Sequence, residues 1–375
     1  MKSKIKSILL LHPFGIGDAL FMTPIIRSLH ESGVSTIDLI LGSRTQELFE
    51  HHPCVNEIFV MDRDRIRNQS ALQNVRELIP FLLNLRKKRY QAFLDFSLAR
   101  QYAFFASFFL NIPVRIGFNY KNRGIFLTHR KELLKSFSDK HVVDYYFDLL
   151  DLISCPKASS EFELFTSGQD AVQAREVLRS LNLDRDERFL VVAPGGGESW
   201  GKDARLKRWP VKYFFELIKK IKEENAIGHF GKIVILGGKG ERELGESLRQ
   251  MDPEHFYNLC GQTSLRVAAL LIKHSRLFIG NDGGLVHIAS AMQTPTVALF
   301  GPVDPKVYAP YPQNSNRIAI ANEGPECRPC YQNMRYNEAC QHVDCLNTLY
   351  PNTVFQTIKE KGFFGSLNSN YITAK

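Results

Sequence analysis

Residues 7–18 read SILLLHPFGIGD: the apolar run Ser7–Leu11 breaks into the turn Gly15-Ile16-Gly17-Asp18, and Ala19–Glu31 then reads as a helix. A short strand, a glycine turn and a helix are the opening of a βαβ unit. The pattern continues. Thr36–Leu41 reads as a second strand, Gln46–His51 as a short helix and Glu57–Met61 as a third strand. Leu72–Lys88 carries apolar residues at helical spacing, and Ala92–Phe96 is strand-like again. Parallel strands with crossover helices favour an open, doubly wound sheet.

The alternation restarts after the polar stretch Ser159–Asp170. Phe189–Ala193 is a strand ending in Pro194-Gly195-Gly196-Gly197. Lys232–Leu236 is another, ending in Gly237-Gly238, and Leu277–Ile279 runs into Gly280-Asn281-Asp282-Gly283-Gly284. A chain of 375 residues exceeds one ordinary core. The expected architecture is therefore α/β with two Rossmann-like domains facing across a cleft: 1–160, 161–350, and a tail, 351–375, that returns to the first domain. Ligands of such sheets bind at the carboxyl ends of the strands.

The bulk numbers narrow the function. With 44% hydrophobic and 23% charged residues, the chain has the composition of a globular protein. No apolar run reaches the roughly 18–20 residues that span a bilayer. The basic start and the brief run Ile8–Leu11 read as a first buried strand rather than a signal peptide, which implies a cytoplasmic location. A net charge of +9 implies an anionic partner. Aromatic and basic residues do not interleave in one compact patch, which disfavours nucleic acid.

Three strand ends carry the chemistry. At the first, Gly17 lets backbone amides approach a ligand, and Asp18 is either a helix N-cap or a general base. At the second, Gly195 exposes amides beside Lys207, with Trp209 and Pro210 opening the next helix. At the third, Asp282, Gly283 and Gly284 open a helix whose N-terminus suits a diphosphate, with His287 about one turn in. No Walker lysine motif and no helical His-Glu metal pattern occurs. Together these ends point to a nucleotide diphosphate rather than to ATP hydrolysis.

The ordered set of motifs resembles glycosyltransferase family 9, the heptosyltransferases of lipopolysaccharide synthesis. The resemblance spans about residues 7–355. Its pieces are Gly17-Asp18-Ala19 with Thr23-Pro24, Arg115-Ile116-Gly117-Phe118, His141-Val142-Val143-Asp144 and Lys207-Arg208-Trp209-Pro210. Leu236-Gly237-Gly238, Leu259-Cys260-Gly261-Gln262-Thr263-Ser264-Leu265, Gly280 to His287 and Leu299-Phe300-Gly301-Pro302 complete it. The resemblance implies a GT-B fold and an inverting transfer of heptose from ADP-heptose to a lipopolysaccharide inner-core acceptor. It makes Asp18 the general base and Lys207 the holder of the donor phosphates, with Gly17, Gly195, Asp282, Gly283, Gly284 and His287 around the donor and Glu241 or Glu243 as an acidic nucleotide contact. The family usually carries Ser or Thr after the Asp. Here Gly283 stands there, so a hydroxyl contact to phosphate is absent while the backbone N–H remains.

On the acceptor side, Arg65 in the run Arg63-x-Arg65-x-Arg67, and Arg123, suit phosphate or carboxylate groups of a lipid-linked sugar. A basic, partly apolar first domain fits peripheral docking on the inner-membrane surface. No cofactor is required for catalysis. Cys327-x2-Cys330-x9-Cys340-x4-Cys345 has spacings that suit one structural zinc site, with reduced thiols or a disulfide pair as alternatives. Two other functions keep the same fold: transfer from a different nucleotide sugar, or non-catalytic binding of one.

Overall fold

The computed structural model describes residues 5–183, 188–332, 335–336, 340 and 342–369. The chain divides into two compact units, Met1–Ser160 and Glu161–Lys375. The first is built on β1 (Ser7–His12), β2 (Thr36–Leu41), β3 (Glu57–Val60), β4 (Ala92–Asp95), β5 (Val114–Tyr120) and β6 (His129–Leu133), in the order β3-β2-β1-β4-β5-β6. All neighbours are parallel. Ile8 to Leu11 are essentially inaccessible to solvent, as a strand covered on both faces requires.

The second unit repeats this plan with β7 (Phe189–Ala193), β8 (Lys232–Ile235), β9 (Phe256–Asn258), β10 (Leu277–Asn281), β11 (Thr296–Phe300) and β12 (Arg317–Ala321). Their order is β12-β11-β10-β7-β8-β9, again wholly parallel. Strand order reverses between β1 and β4 in one sheet and between β7 and β10 in the other. At such a reversal the crossovers leave in opposite directions and open a crevice beyond the strand ends. Two sites are therefore fixed by topology, one beyond His12 and Asp95, the other beyond Ala193 and Asn281.

Local differences from the sequence reading have physical causes. The helix expected over Ala19–Glu31 is two helices, Ile16–Leu20 and Thr23–Glu31. Pro24 has no N–H for the Leu20 carbonyl, and the Thr23 hydroxyl donates to that carbonyl instead, at 2.8 Å. β6 reads His-Arg-Lys-Glu-Leu, a charged edge strand without apolar alternation. The segment after Pro351, which the sequence reading returns to the first domain, packs in the second unit as far as Ser369. Val354, Phe355, Ile358, Phe363 and Leu367 join a core with Trp209, Phe214 and Leu217. The Trp209 indole donates to the Leu349 carbonyl, at 2.8 Å.

Candidate active site

At the first crevice, Asp18 lies in the opening turn of Ile16–Leu20, three residues after the N-cap. Gly15 occupies the cap position and no side chain caps the helix. The capping role is therefore excluded for Asp18, and its half-buried carboxylate is left near the positive end of the helix. The same strand end carries a group that the sequence reading passed over. His12 Nε2 is 3.1 Å from the Tyr146 hydroxyl, and the imidazole ring is edge-on to Phe14 and Tyr146. Burial pushes His12 down to about 3, so the ring is neutral. The Tyr146 phenol is raised well above its ordinary value, first by burial and then by the charge of Asp18.

Asp95, at the end of β4, registers with Leu11, one residue before His12. Its carboxylate accepts from the Ser97 amide at 2.8 Å, yet burial dominates and pushes it up to about 7. His12 and Asp95 had a legible signal, since each ends a strand at the reversal. Tyr146 comes from the helix Val142–Asp151, and only tertiary packing brings it there.

The second crevice assembles the expected donor residues. Lys207 Nζ is 2.7 Å from Asp282 Oδ2, with side chains only 9% and 6% exposed. Among the described residues Asp282 Oδ2 has no aligned hydrogen bond, so the contact is ionic. Asn281 braces the pair: its Oδ1 accepts from the Trp209 amide at 3.2 Å and its Nδ2 donates to the Pro194 carbonyl at 2.7 Å. Gly284 begins the helix Gly284–Ala291, whose N-cap is Gly283. Gly283 has φ −177°, an extended backbone that any residue can adopt. His287 is buried and packs edge-on to Phe162.

Glu241 has a more structural position than a nucleotide contact alone would demand. It is buried, and its two carboxylate oxygens accept from the amides of Gly197 and Gly238, each at 2.9 Å. It thereby ties the turn after β7 to the turn after β8. A Cβ on Gly195 would lie 1.9 Å from Glu241 Oε1, so a side chain there must displace the carboxylate that ties the two turns.

The remaining expected residues are placed less centrally. Arg123 is exposed in the tight turn that follows β5, on the carboxyl edge of the first sheet. Arg65 is 61% exposed and ion-paired to Glu77 at 2.5 Å. Cys345 is buried, Cys330 and Cys340 are half-buried, Cys327 is exposed, and no disulfide joins the described cysteines. Burial, then the nearby Cys330 and more weakly Cys340 and Cys327, push the Cys345 thiol up to about 12, against Arg328. Among the described residues no three His, Cys, Asp or Glu side chains converge so as to hold a metal ion. No helix of the described residues is long and apolar enough to cross a membrane.

Two parallel six-stranded sheets, one ending on an acidic turn and the other on a lysine-braced double glycine, define a glycosyltransferase of the GT-B class. Comparison with known proteins agrees. The sequence profile of glycosyltransferase family 9 (heptosyltransferase) matches residues 81–339, and the chain belongs to that family. It is 25% identical over 354 residues to lipooligosaccharide heptosyltransferase 2 of Campylobacter jejuni, covering 93% of this chain and 96% of the relative. It is 26% identical over 321 residues to lipopolysaccharide heptosyltransferase 2 of Salmonella typhimurium, covering 84% and 88%. In fold it matches the E. coli ADP-heptose lps heptosyltransferase II, with a TM-score of 0.69 at 22% identity over 95% of this chain and 98% of that one. An E. coli heptosyltransferase solved with ADP gives a TM-score of 0.67 at 18% identity, covering 95% and 99%.

Proposed function

We propose that this enzyme transfers heptose from ADP-heptose to a lipid-linked saccharide of the lipopolysaccharide inner core, with inversion at the anomeric carbon. The observation that carries the proposal is the braced pair of Lys207 and Asp282 beside the Gly283-Gly284 helix start. As the donor bond breaks with oxocarbenium character, negative charge grows on the departing diphosphate. Lys207 and the amides of Gly283 and Gly284 stabilise that charge in place, so the transfer needs no metal. Asp18 accepts the proton of the attacking acceptor hydroxyl. The neutral His12 and Tyr146 behind it add no competing positive charge.

Arg65 and Arg123 are the proposed contacts to acidic groups of the acceptor, and the acceptor's lipid places the enzyme at the cytoplasmic face of the inner membrane. The cysteine cluster is proposed as a structural zinc site outside the reaction, supported by its spacing; among the described residues no three of the thiols converge, so metal binding would have to draw them together. Metal analysis tests it: one zinc per chain supports the site, and zinc-free protein with all four thiols alkylatable overturns it. The proposed reaction is tested by incubating enzyme, ADP-heptose and heptose-deficient lipopolysaccharide acceptor, and weighing the product. A mass gain of one heptose is expected. Transfer from UDP- or GDP-sugars instead would favour a different donor on the same fold.

A further inference from the structure

Large apolar side chains left in solvent are concentrated on one layer of the first unit. The helix Ala71–Lys87 turns Phe81, Leu82 and Leu85 toward the sheet, where they pack with Leu9, Leu11 and Phe93. At about 100° per residue, that satisfies one side of the helix. A second apolar stripe remains: Leu72 is 80% exposed, Val75 50%, Ile79 53% and Leu83 53%. These four fall within an arc of about 80° that adjoins the core-facing side of the helix, with Leu82 nearest to it. The neighbouring helix Arg100–Phe108 feeds the same core through Ala106 and Tyr102, so it lies in the same layer. It leaves Phe108 63% and the adjoining Phe109 44% exposed. Exposed apolar area gathered on one layer in this way marks an interaction surface.

The charges around the stripe say what covers it. From Ala71 to Arg89 the chain carries Arg76, Arg86, Lys87, Lys88 and Arg89 against a single acidic residue, Glu77. Arg76 and Lys87 are exposed along one margin of the stripe, within about 40° of its edge, and the exposed Arg86 lies in line with the stripe at its C-terminal end. Glu77 points elsewhere and is held by Arg65 and Gln69. Lys88 is paired with Glu57. An apolar band with cations along one margin and at its C-terminal end, and no acid beside it, matches an anionic lipid surface. The band enters the acyl boundary while the cations remain among the headgroups. A water-facing helix would carry polar residues at these positions.

We propose that the stripe Leu72, Val75, Ile79 and Leu83, with Phe108 and Phe109, is a lipid-docking face for bilayers rich in anionic headgroups. The helix starts beyond the carboxyl end of β3, on the sheet edge that also carries Asp18. Docking there sets the acceptor-facing edge near the bilayer. The inference deepens the lipid-linked acceptor reading, and its test needs neither donor nor acceptor, so the two can fail separately.

The test is co-sedimentation of the full chain with vesicles of phosphatidylglycerol and phosphatidylcholine, against vesicles of phosphatidylcholine alone. Binding is expected only to the anionic vesicles and should weaken at high salt. The triple variant Val75→Gln, Ile79→Gln, Leu83→Gln and the triple variant Arg76→Gln, Arg86→Gln, Lys87→Gln should each lower vesicle affinity about tenfold or more. Both should keep the parent's melting temperature and nucleotide affinity, because all six side chains are exposed. Failure to bind anionic vesicles, or binding untouched by both variants, overturns the proposal. So does a dimer in sedimentation velocity that the apolar variant dissolves, since a second copy would then cover the stripe.

Discussion

Replacing Lys207 by Met removes one half of the buried ion pair and leaves the Asp282 carboxylate in a site only 6% exposed. At 2.7 Å the gross attraction is about 6 kcal/mol for an effective dielectric of about 20. The desolvation of each ion, several kcal/mol, offsets most of it, so the intact pair adds little net stability. Removing one partner is different, because the other stays buried and unmatched, at a cost of about 3–5 kcal/mol. For a unit of this size that corresponds to a fall of about 6–20 °C in melting temperature. Both tryptophans, Trp200 and Trp209, belong to the second unit, so fluorescence-detected unfolding follows that unit specifically. The double variant Lys207→Met, Asp282→Leu should recover most of the loss, since no stranded charge remains. A loss below about 1 kcal/mol for Lys207→Met would mean that the pair behaves as a solvated surface pair. The bracing of the donor crevice described above would then be refuted.

The other predictions concern single positions. Asp18→Asn should lower turnover by about 10²–10⁴ and leave the affinity for donor within a few-fold; equal losses in both would make Asp18 a positioning residue of the turn. Gly195→Ala forces a Cβ to 1.9 Å from Glu241 Oε1, so it should cost about 1–3 kcal/mol of stability and weaken nucleotide binding; wild-type melting would show that the turn can yield. Asp95 has a native value of about 7 against an ordinary 3.8, raised by burial. The folded state thus keeps a proton that the unfolded chain releases. This contribution is fully present below pH 3.8, is lost progressively up to about pH 7 and is constant above. Its span is on the order of 4 kcal/mol. Asp95→Asn keeps the acceptor for Ser97 and should stabilise the first unit at pH 8, flattening that slope; an unchanged urea midpoint across pH 4–8 in both proteins would contradict it.

The architecture was legible wherever a strand is apolar along its whole length and ends in glycine. SILLLHPFGIGD and the Gly280–Gly284 turn each give a strand, a turn and a helix start, and repetition of that unit gives both sheets. β6 was not legible because its charges suit an edge, and β9 because it has only three residues. In the donor crevice, residue type and strand-end position already singled out Lys207, Asp282 and Gly195. What they do to one another was not visible. The partnership of Lys207 with Asp282 spans 75 positions, and the two amides that Glu241 clamps come from different turns. In the first crevice Asp18 stood out because it follows a glycine turn. His12 ends its strand, which was a usable signal, but its neutral state depends on burial that only the folded sheet provides.

The proposed reaction requires the second unit to hold ADP-heptose through Lys207 and the Gly283-Gly284 helix start without a metal. Isothermal calorimetry of the purified protein against ADP-heptose, ADP, UDP and GDP, each with and without EDTA, tests it most directly. Binding of ADP and ADP-heptose in preference to UDP and GDP is expected, unchanged by chelation and strongly weakened in Lys207→Met. Preference for another nucleotide, loss of binding in EDTA, or no binding at all would contradict it.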